Sequence, residues 1–278
     1  MTVQTETFPR VTSPPMTSPP MTSPPAASSP ATQKRPRPPV PSCLGAARAL
    51  VEPELVGLVD RLDAESRRVA RYHFGWADAD GVPPGRAAGG KALRPALALL
   101  SARAAGAAPE AAVRAAAAVE LVHNFSLLHD DVMDGDTERR HRATAWTVFG
   151  RSAAVLAGDA LLALAAEALL EDPGPAAAAA TRSLLATVGR LVAGQSLDLR
   201  FEQRMDVSLE ECLDMAAGKT GALLACSASI GAQVVRGGPG SGSAARPVRR
   251  RRRAGLPARR RPARAVGRPG DHRQAGPR

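Results

Sequence analysis

The sequence predicts an all-α protein, and three observations support this. Between about residues 44 and 236, apolar residues recur at intervals of three and four, which is the period of one helix face. Alanine, the residue with the highest intrinsic helix propensity, is dense throughout this stretch. The helical periodicity is interrupted at clusters of Gly and Pro, and the alternation of apolar and polar residues that is typical of strands is nearly absent. A bundle of helices follows from this pattern.

The apolar periodicity divides the central region into six candidate helices. They lie at about residues 45–74, 92–105, 110–133, 144–171, 176–201 and 208–235. We therefore expect one helical domain over residues 44–236, flanked by two segments of different composition.

Residues 1–43 form the first of these segments. TSPPM begins at Thr12 and again at Thr17, and TSPP begins at Thr22. Proline removes backbone donors and fixes φ, so this composition predicts a disordered, locally extended tail. The tail is either a spacer or a docking and cargo-targeting segment that a partner or a protein shell recognises.

Residues 237–278 form the second segment, which holds thirteen arginines against one acidic residue, Asp271. The chain carries a formal net charge of +11, so nearly all of it is located here and the rest is close to neutral. Proteins that bind single-stranded nucleic acid interleave aromatic residues with basic ones, and this segment contains no aromatic residue. We expect a disordered tail and no nucleic-acid partner.

The remaining bulk features indicate a cytoplasmic protein without a membrane span. The most apolar stretch, residues 153–170, is interrupted by Asp159 and Glu167 and is shorter than the ~20 residues a span needs. The N-terminus lacks the basic and apolar blocks of a signal peptide. Three cysteines without metal-ligand spacing predict neither a zinc site nor a disulfide framework.

Three aspartates end the third candidate helix, where residues 127–135 read LLHDDVMDG. Asp130 and Asp134 are four residues apart, so on a helix their carboxylates share one face, with Asp131 beside them. Like charges this close repel one another. Carboxylate oxygens suit Mg²⁺, which completes its octahedron with phosphates and water. The cluster predicts a Mg²⁺ site, although a solvated helix cap is the alternative.

Basic residues flank the aspartates. His123 lies two turns earlier on nearly the same face, and Arg139 and Arg140 follow the cluster. In GGKALRP, Lys91 and Arg94 open a helix, whose N-terminal amides also favour anions. Carboxylates on one side and cations on the other predict a site that holds polyanions through a metal at one place and directly at another.

Further short motifs follow along the chain: GD at Gly158–Asp159, GQSLD from Gly194 and GKT from Gly218. With GGKALRP and HNFSLLHDDVMDGDTERR, in this order on a helical chain, they resemble the trans-isoprenyl diphosphate synthase (polyprenyl synthetase) family. The resemblance covers about residues 44–236. It implies an isoprenoid-synthase-like helical bundle and a homodimeric, Mg²⁺-dependent prenyltransferase. Such an enzyme condenses an allylic diphosphate with isopentenyl diphosphate.

The resemblance also implies roles for single residues. Mg²⁺ on the allylic diphosphate would be held by Asp130, Asp131 and Asp134. The oxygens of that diphosphate would be bound by Arg139 and Lys219. Isopentenyl diphosphate would be held by Lys91, Arg94, His123 and Arg140. The reacting end would be lined by Thr220 and Gln195.

Product length is implied by the residues just before the aspartates. In this family the positions of Phe125 and Ser126 set the floor of the product cavity. A phenylalanine there suggests a short or medium product, from farnesyl to geranylgeranyl length. Plain core packing of Phe125 is the alternative, because helical aromatic residues usually pack in the core.

The chain departs from the family's pattern at its C-terminal end. The second aspartate-rich motif, commonly FQLVDD, is missing, and residue 141 is histidine where glycine is frequent. When residues 260–275 are back-translated into codons and the reading frame is moved forward by one nucleotide, the codons can be read as DDLLGLWGDPGTTGKP. Residues 256–257 can likewise give FQ. This resembles the missing motif. We expect a frame change between about residues 237 and 245 and a C-terminally incomplete fold.

Two alternatives to an active synthase stay open. In the first, the chain is a catalytically dead, truncated synthase, because half of the metal site is missing. In the second, it is a cargo or interaction protein that is recognised through its TSPP tail.

Overall fold

The computed structural model describes residues 41–83 and 90–236 and confirms the all-α prediction. The helices of this part of the chain are α1 Ser42–Val59, α2 Ala64–Phe74, α3 Leu93–Ala104, α4 Val113–Met133, α5 Ala145–Phe149, α6 Arg151–Leu170, α7 Pro175–Phe201, α8 Leu209–Ala216 and α9 Ala222–Val235. A 3₁₀ turn at Pro109–Ala112 leads into α4, and a π-helical turn at Ala217–Gly221 joins α8 to α9. Two short antiparallel strands, β1 Glu138–Arg139 and β2 Arg142–Ala143, form a ribbon.

Two of the six predicted helices were too long, and local backbone chemistry explains both errors. The first is split because the Asp63 side chain accepts hydrogen bonds from the amides of Glu65 and Ser66 and so starts α2 as a new helix. The fourth is split at Gly150, whose φ of 89° and ψ of 159° end α5 before α6 begins.

The core is built around α4, which packs against α1, α3, α6 and α9. Four consecutive alanines, Ala115 to Ala118, are at most 2% exposed, so small side chains allow the surrounding helices to approach closely. Larger residues, among them Leu121, Leu128 and Leu161, fill the remaining space at 0–1% exposure. Because α4 is held on several sides, residues on its faces have fixed positions.

Two segments are long and apolar enough to cross a membrane when judged only by length and composition. Pro109–Met133 and Arg151–Leu170 have mean hydropathies of 1.2 and 1.9, with 67% and 44% of these windows buried inside the fold. Core helices of globular proteins meet the same criterion. That the chain has no membrane span therefore stays a prediction.

The two predicted tails lie almost entirely outside the described residues, at 1–40 and 237–278. Their disorder and the C-terminal frame change remain predictions. At the first boundary, α1 already begins at Ser42, two residues before the predicted start of the helical domain.

Candidate active site

The C-terminal end of α4 carries the three aspartates, which we call the aspartate cluster: Asp130, Asp131 and Asp134. Asp131 is only 1% exposed, Asp130 is half-buried and Asp134 is exposed as the C-cap residue. A helix C-terminus bears a partial negative charge, so three carboxylates there repel both one another and the helix dipole. The fold must therefore supply cations near this end of α4.

Arg139 supplies the first of these cations. Its Nε and Nη2 donate to Asp131 Oδ1 over 2.7 and 2.6 Å. Burial still raises the pKa of Asp131, although the arginine opposes this shift. The second carboxylate oxygen, Asp131 Oδ2, is buried and has no hydrogen-bond partner within the described residues. One acceptor of the cluster thus remains unsatisfied.

The β1–β2 ribbon positions Arg139 and Arg140. Its turn consists of Arg140 and His141, with φ of 55° and 63°, as a two-residue hairpin of this twist requires. Glycine adopts such angles at no steric cost, which explains its frequency at position 141 in the family that the sequence resembles. Arg142 anchors the ribbon by donating to the carbonyls of Tyr72 and Ala77.

Lys219 supplies a second cation from the π-helical turn. Its Nζ lies 2.5 Å from Asp198 Oδ2. Burial by itself would lower the pKa of Lys219, but the bond to Asp198 and the charges of Asp130 and Asp134 raise it. The lysine is therefore charged and lies within electrostatic reach of the aspartate cluster, while its role in binding diphosphate oxygens stays a prediction.

A close crossing of α7 with the π-helical turn places Lys219. A methyl group added at Gly194 would lie 2.1 Å from the amide nitrogen of Lys219, and one at Gly218 would lie 3.0 Å from the carbonyl of Arg190. Glycine is required at position 194 by this approach of two backbones, and at position 218 an added methyl group would be tightly packed. The same crossing brings Gln195 to the cluster, where its Nε2 lies 3.5 Å from Asp134 Oδ1.

Asp130 has the most perturbed carboxyl group of the cluster. Burial raises its pKa to about 6, with Lys219 opposing the shift and Asp134 adding to it. Within the described part of the chain it forms no hydrogen bond or ion pair through its side chain. Residues 41–83 and 90–236 contain no preassembled cage of three or more Cys, His, Asp or Glu side chains.

Four basic residues, which we call the basic cluster, lie further from the end of α4: Lys91, Arg94, His123 and Arg140. A methyl group added at Gly90 would lie 3.1 Å from Arg140 Nη2, so the backbone preceding Lys91 packs on this guanidinium. Arg94 lies in the first turn of α3. Burial lowers the pKa of His123 to about 3, and the positive charges of Arg94 and Arg140 add to the shift.

Two further residues, Glu120 and His73, lie near the basic cluster and were not predicted from the sequence. Burial raises the pKa of Glu120 against the opposing charges of Arg94 and Arg140. A glutamate one turn before His123 on an apolar helix was a signal that could have been used. Burial lowers the pKa of His73 to about 3, and Arg140 and Arg139 add to this. Nothing in the sequence around His73 connects α2 with the ribbon.

A cleft of about 190 Å³ runs between α4 and α7, and we call it the α4–α7 cleft. It begins beside Asp130 and Gln195 and is mostly apolar. Phe125 and Ser126 line it, and Phe125 is 6% exposed; that they form the floor of a product cavity stays a prediction. Thr220 is exposed, and no contact of its side chain supports or opposes the predicted role at the reacting end.

The fold and site together define a class: helical bundles in which a central helix presents aspartates beside an apolar cleft, with cations opposite. The family model described as Polyprenyl synthetase matches residues 86–248, more than half of the chain. The chain belongs to the polyprenyl synthetase family.

Individual relatives agree with this assignment. The chain is 51% identical over 189 residues to a (2E,6E)-farnesyl diphosphate synthase of Mycobacterium tuberculosis, covering 68% of this chain and 52% of that protein. It is 43% identical over 204 residues to a geranylgeranyl diphosphate synthase of the same organism, covering 70% and 57%. The chain thus spans about half the length of the curated relatives it matches.

A solved structure is also similar. The crystal structure of a polyprenyl synthetase from Streptomyces coelicolor A3(2) is 56% identical, with a TM-score of 0.68, over 70% of this chain and 58% of that chain. The isoprenoid-synthase-like bundle that the sequence motifs implied is confirmed.

Proposed function

We propose that this protein is a prenyltransferase that condenses an allylic diphosphate with isopentenyl diphosphate and yields a product of farnesyl to geranylgeranyl length. One observation carries the proposal. A single helix, α4, presents carboxylates at its end and His123 of the basic cluster two turns earlier, and an apolar cleft begins beside Asp130. The names of its farnesyl and geranylgeranyl diphosphate synthase relatives support the product range.

The aspartate cluster would bind the allylic diphosphate through Mg²⁺. The residues present fit this ion, because Asp131 Oδ2 and Gln195 Oε1 are buried oxygen acceptors without a partner among the described residues. Asp130 and Asp134 are free of ion pairs in this part of the chain, and they would hold the ion together with Asp131. Bound Mg²⁺ supplies Lewis-acid stabilisation of the leaving diphosphate.

Cationic side chains of the chain itself act on the same leaving group. Ionisation of the allylic C–O bond builds negative charge on the diphosphate, so Lys219 and Arg139 would stabilise the transition state more than the ground state. The apolar walls of the α4–α7 cleft would exclude water from the allylic cation. Gln195 and Thr220 would line this reacting end.

The basic cluster would bind isopentenyl diphosphate directly. Within residues 41–83 and 90–236, neither Arg94 nor Arg140 forms an ion pair, and burial holds the nearby Glu120 toward its protonated form. This leaves an excess of positive charge for a second diphosphate. After the new C–C bond forms, proton loss needs only a weak base, and the departing diphosphate would serve.

Residues outside the site support a homodimer. The most apolar 18-residue window of helix α6 has a mean hydropathy of 1.9, yet only 44% of this window is buried, and Leu156 and Leu170 are 63% and 56% exposed. An apolar face of this kind is typical of a protein interface. A Leu156→Glu variant should shift the mass measured by light scattering from two copies toward one.

We also propose that the protein is cytoplasmic and that a partner or protein shell recognises residues 1–43.

The test of the proposed function is incubation with isopentenyl diphosphate, an allylic diphosphate and Mg²⁺, with products identified by mass spectrometry. We expect farnesyl or geranylgeranyl diphosphate, and no product after chelation of Mg²⁺. A chain that binds diphosphate with Mg²⁺ but forms no product would be the catalytically dead synthase. Absence of Mg²⁺-dependent diphosphate binding would contradict the proposal itself.

The frame change at the C-terminal end has a separate test, because residues 237–278 lie outside the described part of the chain. Resequencing of the coding DNA from codon 230 onward should reveal a missing or extra base that restores FQ, DD and GKP in one frame. A chain extended in the restored frame should then outperform the present one in the same assay.

A further inference from the structure

The side chain of His129 contacts α6. Its Nε2 donates to the carbonyl of Val155 over 3.0 Å and lies 3.5 Å from Asp159 Oδ1. The ring is therefore fixed by a neighbouring helix, although its residue borders the aspartate cluster.

Gly158 provides the space for this ring. A methyl group added at Gly158 would lie 2.4 Å from Nε2 and 2.5 Å from Cδ2 of His129, well inside van der Waals contact. The obstacle is a side chain and not backbone, so an added methyl group would displace the His129 ring away from α6. The GD motif of the sequence thus has a steric role at its glycine.

The other side of the His129 ring contacts Phe125. The two ring centroids are 4.8 Å apart with an angle of 66° between the planes, an edge-to-face pair one helical turn apart. Both residues line the α4–α7 cleft. A continuous contact therefore runs from Gly158 through His129 to Phe125 and ends at the wall of the cleft.

From this contact we infer that Gly158 and His129 are specificity-determining positions that fix the depth of the α4–α7 cleft by holding the Phe125 ring. The inference rests on the proposed function, because the cleft would hold the prenyl tail of the allylic diphosphate. Gly158 acts only through His129, so it is a positioning residue.

Three variants follow from this arrangement. Gly158→Ala pushes the His129 ring toward the cleft, so the cleft becomes shorter. His129→Ala removes the ring that supports Phe125, so the cleft becomes longer. In the double variant the added methyl group has no ring to displace, so it should behave like His129→Ala alone.

A matched control is Gly189→Ala on α7, since a methyl group there meets nothing within 4 Å. This variant also replaces a helical glycine by alanine, but it should leave tail-length preference unchanged.

The experiment measures binding of inorganic diphosphate and of geranyl, farnesyl and geranylgeranyl diphosphate to the full chain with Mg²⁺. For Gly158→Ala, affinity for the longest tail, relative to inorganic diphosphate, should fall about tenfold, the loss expected for about two methylene groups kept out of apolar contact. His129→Ala and the double variant should both raise this ratio.

The possible failures are distinguishable. If the wild-type chain binds none of these diphosphates, the proposed function fails and the inference fails with it. If it binds them but the ratio is the same in all variants, only the inference is overturned. If Gly158→Ala and the double variant both fail to fold, the glycine is required for a reason other than His129, which also overturns it.

Discussion

The aspartate cluster lies at the end of helix α4, and the basic cluster has one member, His123, on the same helix. The two clusters differ in how their charges are balanced. At the end of α4, Asp131 forms an ion pair with Arg139. Lys219 forms an ion pair with Asp198 and also interacts electrostatically with Asp130 and Asp134. In the basic cluster no arginine has an ion pair within the described residues, and His123 is held neutral by burial and by the charges around it. In the aspartate cluster the negative charge is thus partly balanced by cations of the chain itself, whereas the two arginines of the basic cluster have no ion pair in this part of the chain.

The largest effect should come from removing one carboxylate of the aspartate cluster. Asp130→Asn should lower the turnover number by about 10²–10³-fold, because metal-assisted stabilisation of the leaving group is lost. It should also abolish the dependence of diphosphate binding on Mg²⁺, measured by calorimetry. Asp214→Asn on exposed α8 removes the same charge and should have no such effect. Equal losses in both variants would mean that net charge alone matters.

The next largest effect concerns the crossing that places Lys219. Gly194→Ala should lower the free energy of unfolding by about 1–3 kcal/mol, because its methyl group would overlap the backbone at Lys219. Gly189→Ala on the same helix should instead stabilise the protein by about 0.5–1 kcal/mol through helix propensity. Urea unfolding of both variants gives the comparison. A neutral Gly194→Ala would show that the two backbones can separate.

A smaller effect is expected in the basic cluster. Arg140→Met should weaken diphosphate binding by about tenfold, the value of one charge-assisted contact, and by a similar factor with and without Mg²⁺. This distinguishes it from Asp130→Asn, which acts only through the ion. If the loss appeared only in the presence of Mg²⁺, the two clusters would be one site.

The smallest effect is a pH dependence of stability from His73 and His123. Their pKa values of about 3 in the folded protein lie below the ordinary 6.5, so the unfolded chain binds more protons between these values. Their contribution therefore destabilises the fold as pH falls below about 6.5, by about 1 kcal/mol for each histidine between pH 7 and 5.5.

The carboxyl groups of Asp130 and Glu120 shift stability in the opposite direction, so the histidine contribution is best measured as a difference. The gap in unfolding free energy between wild type and His73→Gln should shrink as pH falls from 7 to 5.5. A gap that is independent of pH would show that His73 is not held neutral.

Much of the fold followed from the sequence because helix periodicity and capping are local. The aspartate cluster and Lys219 could be proposed as site residues for the same reason, since each belongs to a short motif, and their roles stay predictions. What the sequence could not show depends on packing between distant elements. His73 reaches the basic cluster only because Arg142 ties the ribbon to α2. Likewise, the space for His129 depends on a glycine in another helix.

The positions of His123 and Asp130 on the same helix limit which insertions and deletions α4 can accommodate. His123 and Asp130 are seven residues apart on an uninterrupted helix, which sets the spacing between the two regions at about 10 Å. One inserted residue would turn everything beyond it by about 100° and carry the aspartates off the face they share with His123. A change of length in this stretch should therefore disturb both regions at once, whereas an exchange of one side chain acts only where it lies. The distance between the two regions is then a property of the backbone itself.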